Sequence, residues 1–471
     1  MNKLMLFLLL NITFLFAQAQ NDFLVKSENI NSITQAQLVF FGLPAENDVD
    51  LYKVWYNTLG VDGEADVASG LVVVPKLDQA APLLCFQHGT ASPRDAVPSN
   101  EVGNFGELFL GSVGYVVSSA DYLGMGESKG FHPYLHAETE ASAAIDLLRA
   151  TRELCEELKV ELDEQLFVTG YSQGGHAAMA AFQVLERDHK DEFPVTAAAP
   201  MSGPYNVTGT MLASILNEEE YFFPGYLVYI ARGYQEVYGD VYEDLSDIFK
   251  PQYAEIMEQF DNRPEYTLDQ LHNELNALLK EEHGAAIPKF MFQDELIQAV
   301  IDGDESNRVI QVMRDNDLYD WIPEAPMRLY YCEADEQVPF ENSIFTDSVM
   351  TANGATNVTA LSMGEDLDHF GCAIPAFLDA NEFFKSFLPT STKQIEENLD
   401  FMIFPNPVQD RLYWKFDGEI ERIIIVDELG RIITEENNIY QQSLDLQNLG
   451  KGLYFLQIHT GEGVLTKKFV K

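Results

Sequence analysis

A pentapeptide, Gly170-Tyr171-Ser172-Gln173-Gly174, stands between a strand-like run, Gln165-Leu-Phe-Val-Thr169, and a helix-like segment from Gly175 to about Arg187. No other feature limits the fold as much. A serine pushed out on a sharp strand-to-helix turn needs small residues two places to either side, and Gly170 and Gly174 supply them. Such an elbow lifts the Ser172 hydroxyl above the sheet edge and faces it with the N–H of Gln173 and the N-terminus of the next helix. Alone, the pentapeptide does not separate a nucleophile from an idle serine on a structural turn. Strand, helix and partner residues in the right chain order do.

The flanking sequence predicts a sheet for this elbow to sit on. Strand candidates are Gly70–Val74, Leu83–Gln87, Tyr115–Ser119, Gln165–Thr169, Val195–Ala199, Arg328–Cys332 and Val358–Ser362. They alternate with helix-like segments such as Ala137–Leu158, where Ala and Leu recur at helical spacing. This alternation predicts an α/β fold, a mostly parallel sheet with helices on both faces. Residues 206–322 break the pattern. They are helix-rich, with Thr267–Leu279 the clearest amphipathic stretch, and have no β-run of the core type. An insertion of this kind between two sheet strands reads as a helical cap or lid.

Ser172 needs a base and the base needs an acid. In the α/β-hydrolase arrangement the chain order is Ser, acid, His. Of nine histidines, His88, His132 and His136 precede the serine, His176 lies one turn into the elbow helix, and His189, His272, His283 and His459 fall in helices, cap or tail. His369, in Asp366-Leu-Asp-His-Phe-Gly-Cys372, follows the last core strand and fits the order. It would take the serine proton and return it to the leaving group. Asp335, in Glu333-Ala-Asp-Glu-Gln-Val-Pro339, follows the strand ending at Cys332 and is the expected acid; Glu333, Asp366 and Asp368 are its rivals. The oxyanion of a tetrahedral intermediate would meet the N–H of Gln173 and that of Thr90, in the loop His88-Gly-Thr90.

Four cysteines, Cys85, Cys155, Cys332 and Cys372, match no metal-binding or redox spacing, and no metal or cofactor is expected. Cys332 and Cys372 flank the expected acid and base. A disulfide between them and two free buried thiols are both open readings.

The chain has 471 residues, 46% of them hydrophobic, enough for a real core and for two or three domains. It carries 75 Asp and Glu against 29 Lys and Arg, a formal charge of −46. Phosphate backbones and anionic lipid surfaces would repel such a chain, which sets nucleic-acid binding aside. The acidity is not spread evenly. Residues 20–398 hold 64 acids against 20 bases, while 399–471 hold 11 against 8. Met1-Asn2-Lys3, an apolar run from Leu4 to Phe16, and Ala17-Gln-Ala19 read as a secretory signal peptide over residues 1–19, with an N-terminal membrane anchor as the alternative. No later segment is long enough to span a membrane. Residues 20–388 then form the α/β unit with its cap at 206–322, and 389–398 form a linker. In 399–471, short β-forming segments (Arg411–Phe416, Ile420–Val426, Arg431–Thr434, Gly452–His459) predict a small antiparallel sandwich.

Two resemblances sharpen this. Residues 55–385 resemble the secretory lipase group of α/β-hydrolases, the capped enzymes typified by fungal lipase A. The match rests on Gln87-His-Gly-Thr90, Gly114-Tyr-Val-Val117 with Asp121-Tyr-Leu-Gly-Met-Gly-Glu-Ser128, His132-Pro-Tyr-Leu-His136, Gly170-Tyr-Ser-Gln-Gly-Gly-His176 and Ala198-Ala-Pro-Met-Ser-Gly203. It implies Ser172, Asp335 and His369 as a triad and the 206–322 insertion as a cap over an acyl site. The tail resembles the type A sorting domain of the type IX secretion system of Bacteroidetes. The matching residues are Phe404-Pro-Asn-Pro407, Asp410-x-Leu412, Leu444-x-Leu446-x-x-Leu449, Gly452-x-Tyr454 and the closing Lys467-Lys-Phe-Val-Lys471. That implies export through the periplasm to the cell surface or beyond, with the secretion machinery as partner. A carbohydrate-binding β-module is the alternative for the tail.

The expected function is therefore that of an exported serine hydrolase cleaving carboxylic esters through an acyl-enzyme, without a cofactor. Aromatic runs in the cap, Tyr221-Phe-Phe223 and Tyr226-Leu-Val-Tyr229, suggest an apolar acyl or aryl pocket. One alternative is a serine peptidase of the prolyl-peptidase kind, with Glu218-Glu219-Glu220 holding a substrate amine. Another is a non-catalytic surface binding protein on a hydrolase scaffold.

Overall fold

The computed structural model describes residues 23–101, 103–388 and 402–471, apart from 417–419, 421, 428–430, 437–441, 448 and 461–462. The expected signal peptide (1–19) and linker (389–398) lie outside the described residues. The chain divides into two compact units, Met1–Phe387 and Leu388–Lys471.

The first unit is built on a nine-stranded sheet. Its strands are β1 (Leu24–Ile33), β2 (Val49–Leu59), β3 (Ala65–Pro75), β4 (Ala81–Gln87), β5 (Val116–Ala120), β6 (Leu162–Tyr171), β7 (Val195–Met201), β8 (Met327–Tyr331) and β9 (Val358–Ser362), in the order β1-β2-β3-β5-β4-β6-β7-β8-β9. From β5 to β9 neighbours run parallel; β1, β2 and β3 add an antiparallel edge. Every residue of β4 and β5 is buried, as expected for strands covered on both faces. β1 and β2 are additions to the sequence-based expectation. β1 is largely exposed and β2 alternates buried with half-buried residues, so neither stands out as the fully buried central strands do.

Alternate side chains leave the sheet on opposite faces. Cys85 and Val168 face a core shared with the helices Ala137–Leu158 and Gln173–Asp188, through Leu147, Leu148, Phe182 and Leu185. Their neighbours Phe86 and Phe167 face the other way, against Phe377 and Phe384 of the helix His369–Lys385, at ring-centre distances of 5.6 and 4.7 Å.

The chain between β7 and β8 is helical. Its longest helix, Leu268–His283, starts at a Thr267–Gln270 capping box and stops at Gly284 in the left-handed region. Leu268, Leu271, Leu275 and Leu279 form its buried stripe, packed with Tyr229, Tyr253, Met291 and Val312 of the same insertion. Among the described residues this segment holds two isolated bridges, Phe249–Phe292 and Arg263–Tyr266, and no strand. No described helix is long and apolar enough to cross a membrane.

The second unit holds two antiparallel sheets. Strands β10 (Met402–Phe404), β11 (Arg411–Lys415) and β14 (Ser443–Asp445) make one; β12 (Arg422–Asp427), β13 (Ile432–Glu436), β15 (Leu453–Thr460) and β16 (Gly463–Val470) make the other. Leu412 and Trp414 meet Ile423, Ile425, Leu456, Ile458 and Phe469 in its core.

Candidate active site

At the end of β6 the chain turns through Ser172, whose backbone lies at φ 63° and ψ −123° before the helix Gln173–Asp188 begins. The turn is tight enough to exclude side chains on both flanks. A Cβ on Gly170 would sit 2.2 Å from the Gly174 carbonyl oxygen, and one on Gly174 would sit 2.0 Å from that of Gln87. Only glycine fits either position. Gln173 opens the helix, so its N–H has no partner one turn back. Among the described residues neither that N–H nor the N–H of Thr90 has an acceptor. The Thr90 hydroxyl is engaged with the Tyr134 hydroxyl at 2.7 Å.

The structure brings Ser172, His369 and Asp335 into one line. His369 Nε2 lies 2.8 Å from Ser172 Oγ, and its Nδ1 lies 2.7 Å from Asp335 Oδ2. The His369 side chain is 4% exposed and that of Asp335 1%. The second carboxylate oxygen, Oδ1, accepts the N–H groups of Gln337 and Val338 at 3.0 and 2.9 Å. The rivals Glu333, Asp366 and Asp368 are all exposed, and Asp368 caps the helix that begins at His369 by accepting the Gly371 N–H. The two late cysteines form a disulfide, with Cα atoms 5.9 Å apart, tying the end of β8 to the first turn of that helix. Cys85 and Cys155 are free and buried.

Several contacts hold this line in place that no motif announces. The Glu336 carboxylate accepts the His369 N–H at 3.0 Å, and the Tyr171 hydroxyl donates to the His369 carbonyl at 2.5 Å. Gln337 joins the acid loop to the helical insertion between β7 and β8, since its side-chain oxygen accepts the Tyr226 hydroxyl and its carbonyl that of Tyr221. The only sequence signal for Glu336 and Gln337 is their place beside Asp335. Asp121 is buried and held by Ser69 and Ser99, while Gly124 and Gly126, both at positive φ, leave no room for a Cβ. Glu218, Glu219 and Glu220 are exposed; Glu218 pairs with Lys289 and Glu220 accepts the Ala286 N–H.

Ser172 opens into a cavity whose walls include Tyr134, Gln173, Tyr221, Tyr226, Gln337 and Val338. A second, almost wholly apolar chamber lies within the insertion. Leu135, Pro204, Met211, Ile215, Leu227 and Ile230 line both, so the two spaces share a wall. Beyond it the chamber is lined by side chains such as Val241, Phe249, Ile297 and Val309.

With this arrangement in view, the comparisons with known proteins are specific. Residues 109–375 match the secretory lipase family. The chain belongs to that family. A rice cell wall degrading esterase, LipA from Xanthomonas oryzae, is similar to this secretory lipase at 27% identity and a TM-score of 0.68, over 78% of this chain and 99% of that one. A Legionella pneumophila structure is similar at 27% identity and a TM-score of 0.67, with the same coverage. Candida antarctica lipase A in its closed state shares the fold, at 16% identity and a TM-score of 0.56, over 78% of this chain and 83% of that one. No curated protein sequence matches the chain. Residues 402–471 match the secretion system C-terminal sorting domain. The secretory lipase thus has an α/β-hydrolase fold and is a hydrolase of the lipase and esterase kind. Its type IX sorting tail marks it as a secreted or cell-surface protein of Bacteroidetes-like bacteria.

Proposed function

We propose that this secretory lipase hydrolyses carboxylic esters of flexible aliphatic acids through an acyl-enzyme on Ser172. The observation that carries the reading is the hydrogen-bonded line Ser172 Oγ–His369 Nε2 and His369 Nδ1–Asp335 Oδ2, at 2.8 and 2.7 Å. In this scheme His369 takes the Ser172 proton as Oγ attacks the ester carbonyl. Asp335 holds the imidazole in the required tautomer, and its own charge is steadied by the N–H groups of Gln337 and Val338. The oxyanion is met by the N–H groups of Gln173 and Thr90, and the proton on His369 then passes to the departing alcohol. Water, deprotonated by the same histidine, releases the acid.

The apolar chamber beside the serine supports an acyl rather than an alcohol role. An alkyl chain buried there gains about 0.8 kcal/mol per CH2. Nothing in the site favours the peptidase alternative, because the three glutamates expected to hold an amine are exposed. For the tail, we propose that 399–471 is the segment read by the type IX secretion machinery, with 20–388 as the catalytic domain and 206–322 as its lid.

The test is hydrolysis of p-nitrophenyl esters from acetate to palmitate by the purified chain. Activity on this series, lost in Ser172→Ala, is the expected result; a Ser172→Ala variant that keeps its rate would overturn the assignment. A fluorophosphonate should label Ser172.

A further inference from the structure

Behind the elbow lies a buried polar chain that the scheme above does not use. Gln173 is 2% exposed, Glu140 1%, and His132 1%. The Gln173 side-chain nitrogen lies 2.8 Å from His132 Nε2 and 3.0 Å from Glu140 Oε1. The other Glu140 oxygen lies 2.7 Å from His176 Nδ1, and His176 Nε2 lies 3.1 Å from the Asn316 carbonyl.

Donor and acceptor chemistry leaves these groups little choice. His132 Nδ1 faces the Leu123 carbonyl at 2.8 Å, so the ring proton sits on Nδ1 and Nε2 is an acceptor. Burial keeps that ring neutral by pushing its pKa down to about 3. Gln173 therefore donates one amide hydrogen to His132 and the other to Glu140. Turning the amide over would set its oxygen against a carboxylate oxygen and an imidazole lone pair. Both hydrogens are committed, so the side chain is held at its tip in one rotamer.

We propose that Glu140 and His132 are positioning residues that act through the Gln173 side chain to hold the Gln173 N–H where the oxyanion forms. The inference rests on the serine-hydrolase reading, and it assigns a task to residues that touch neither substrate nor triad. Glu140 is suited to it because a carboxylate accepts on both oxygens, serving Gln173 and His176 together. A leucine at that position can accept from neither.

Two variants of the full-length chain and their combination test this. Glu140→Leu is expected to lower kcat about 10-fold and leave KM within about two-fold, because a displaced donor weakens transition-state binding rather than substrate binding. Gln173→Met, close in shape and without the amide, keeps the backbone N–H and should show the same split. Adding Glu140→Leu to Gln173→Met should lower kcat by less than about two-fold more, since the route through the side chain is already gone. A second full loss in the combined variant would show that Glu140 acts independently of Gln173 and would overturn the proposal. So would an unchanged kcat in Gln173→Met, which also decides the matter if Glu140→Leu fails to fold. Ser172→Ala keeps the two questions apart. If it retains activity the hydrolase reading fails, whereas an additive cycle with an inactive Ser172→Ala sinks only the positioning role.

Discussion

Ser172 occupies a backbone region that a non-glycine residue rarely enters, and the elbow around it leaves no slack. At Gly174 a Cβ would meet main-chain atoms of Gln87 and His88, which cannot step aside as a flexible side chain would. Gly174→Ala should accordingly cost about 3 kcal/mol or more of unfolding free energy in denaturant titration, and a loss under 1 kcal/mol would show that the elbow can relax. Asp335→Asn tests a different property. The amide oxygen can still accept from Gln337 and Val338, so the loop should keep its shape, but its NH2 would face His369 Nδ1 and favour the wrong tautomer. We expect kcat to fall about 10³- to 10⁴-fold with Tm nearly unchanged. Motif context and chain order together pointed to Ser172, Asp335 and His369, and the fold sets His369 within 2.8 Å of both of the others. Glu336, Gln337 and Tyr171 could not be singled out in this way. Their contributions are contacts to His369 and Asp335 that exist only after β6, β8 and the last helix have come together.

Strands and helices were legible in proportion to how wholly they are buried. β4 and β5 are buried at every residue, whereas β1 and β2 offer water too much of their surface to stand out. The disulfide belongs to this scale as well, because it joins two elements rather than two residues. Replacing Cys332 and Cys372 together by serine should lower stability by about 2–4 kcal/mol, as for a loop closed over 40 residues. It should also lower kcat, since the strand end before Asp335 would no longer be tied to the helix of His369. A double variant with wild-type kcat would confine the bridge to stability. The helix Phe105–Ser112 gives a pH prediction. Glu107 is fully buried near its start, and burial pushes its pKa up to about 7. Between about 4.3, the value of a free glutamate, and 7 the folded chain therefore holds a proton that the unfolded chain has lost. This contribution makes stability fall as pH rises through that window. Glu107→Gln, which keeps an acceptor for the Asn104 N–H, should raise stability by about 1–3 kcal/mol at pH 8 and change little at pH 4. Urea titrations at the two pH values would reveal it; an equal effect at both would refute it.

For the whole molecule, the charge lies almost entirely outside the tail, at 64 acids against 20 bases in residues 20–398. Self-repulsion on that scale is relieved by salt, whose screening length shrinks to about 8 Å at physiological ionic strength. Tm should rise between roughly 10 mM NaCl and marine salinity, about 0.5 M; a Tm that falls over this range would count against repulsion as a destabilising term. Division of labour between the parts of the molecule has a consequence for how such a hydrolase can change over generations. Ser172, Asp335 and His369 follow the strands β6, β8 and β9 of the sheet, yet apart from Leu135 and Pro204 every residue lining the apolar chamber comes from the stretch between Val207 and Met313. On the acyl-enzyme reading proposed above, appetite for one acid or another can therefore drift through substitutions in a single inserted segment, while the bond-breaking apparatus is inherited intact.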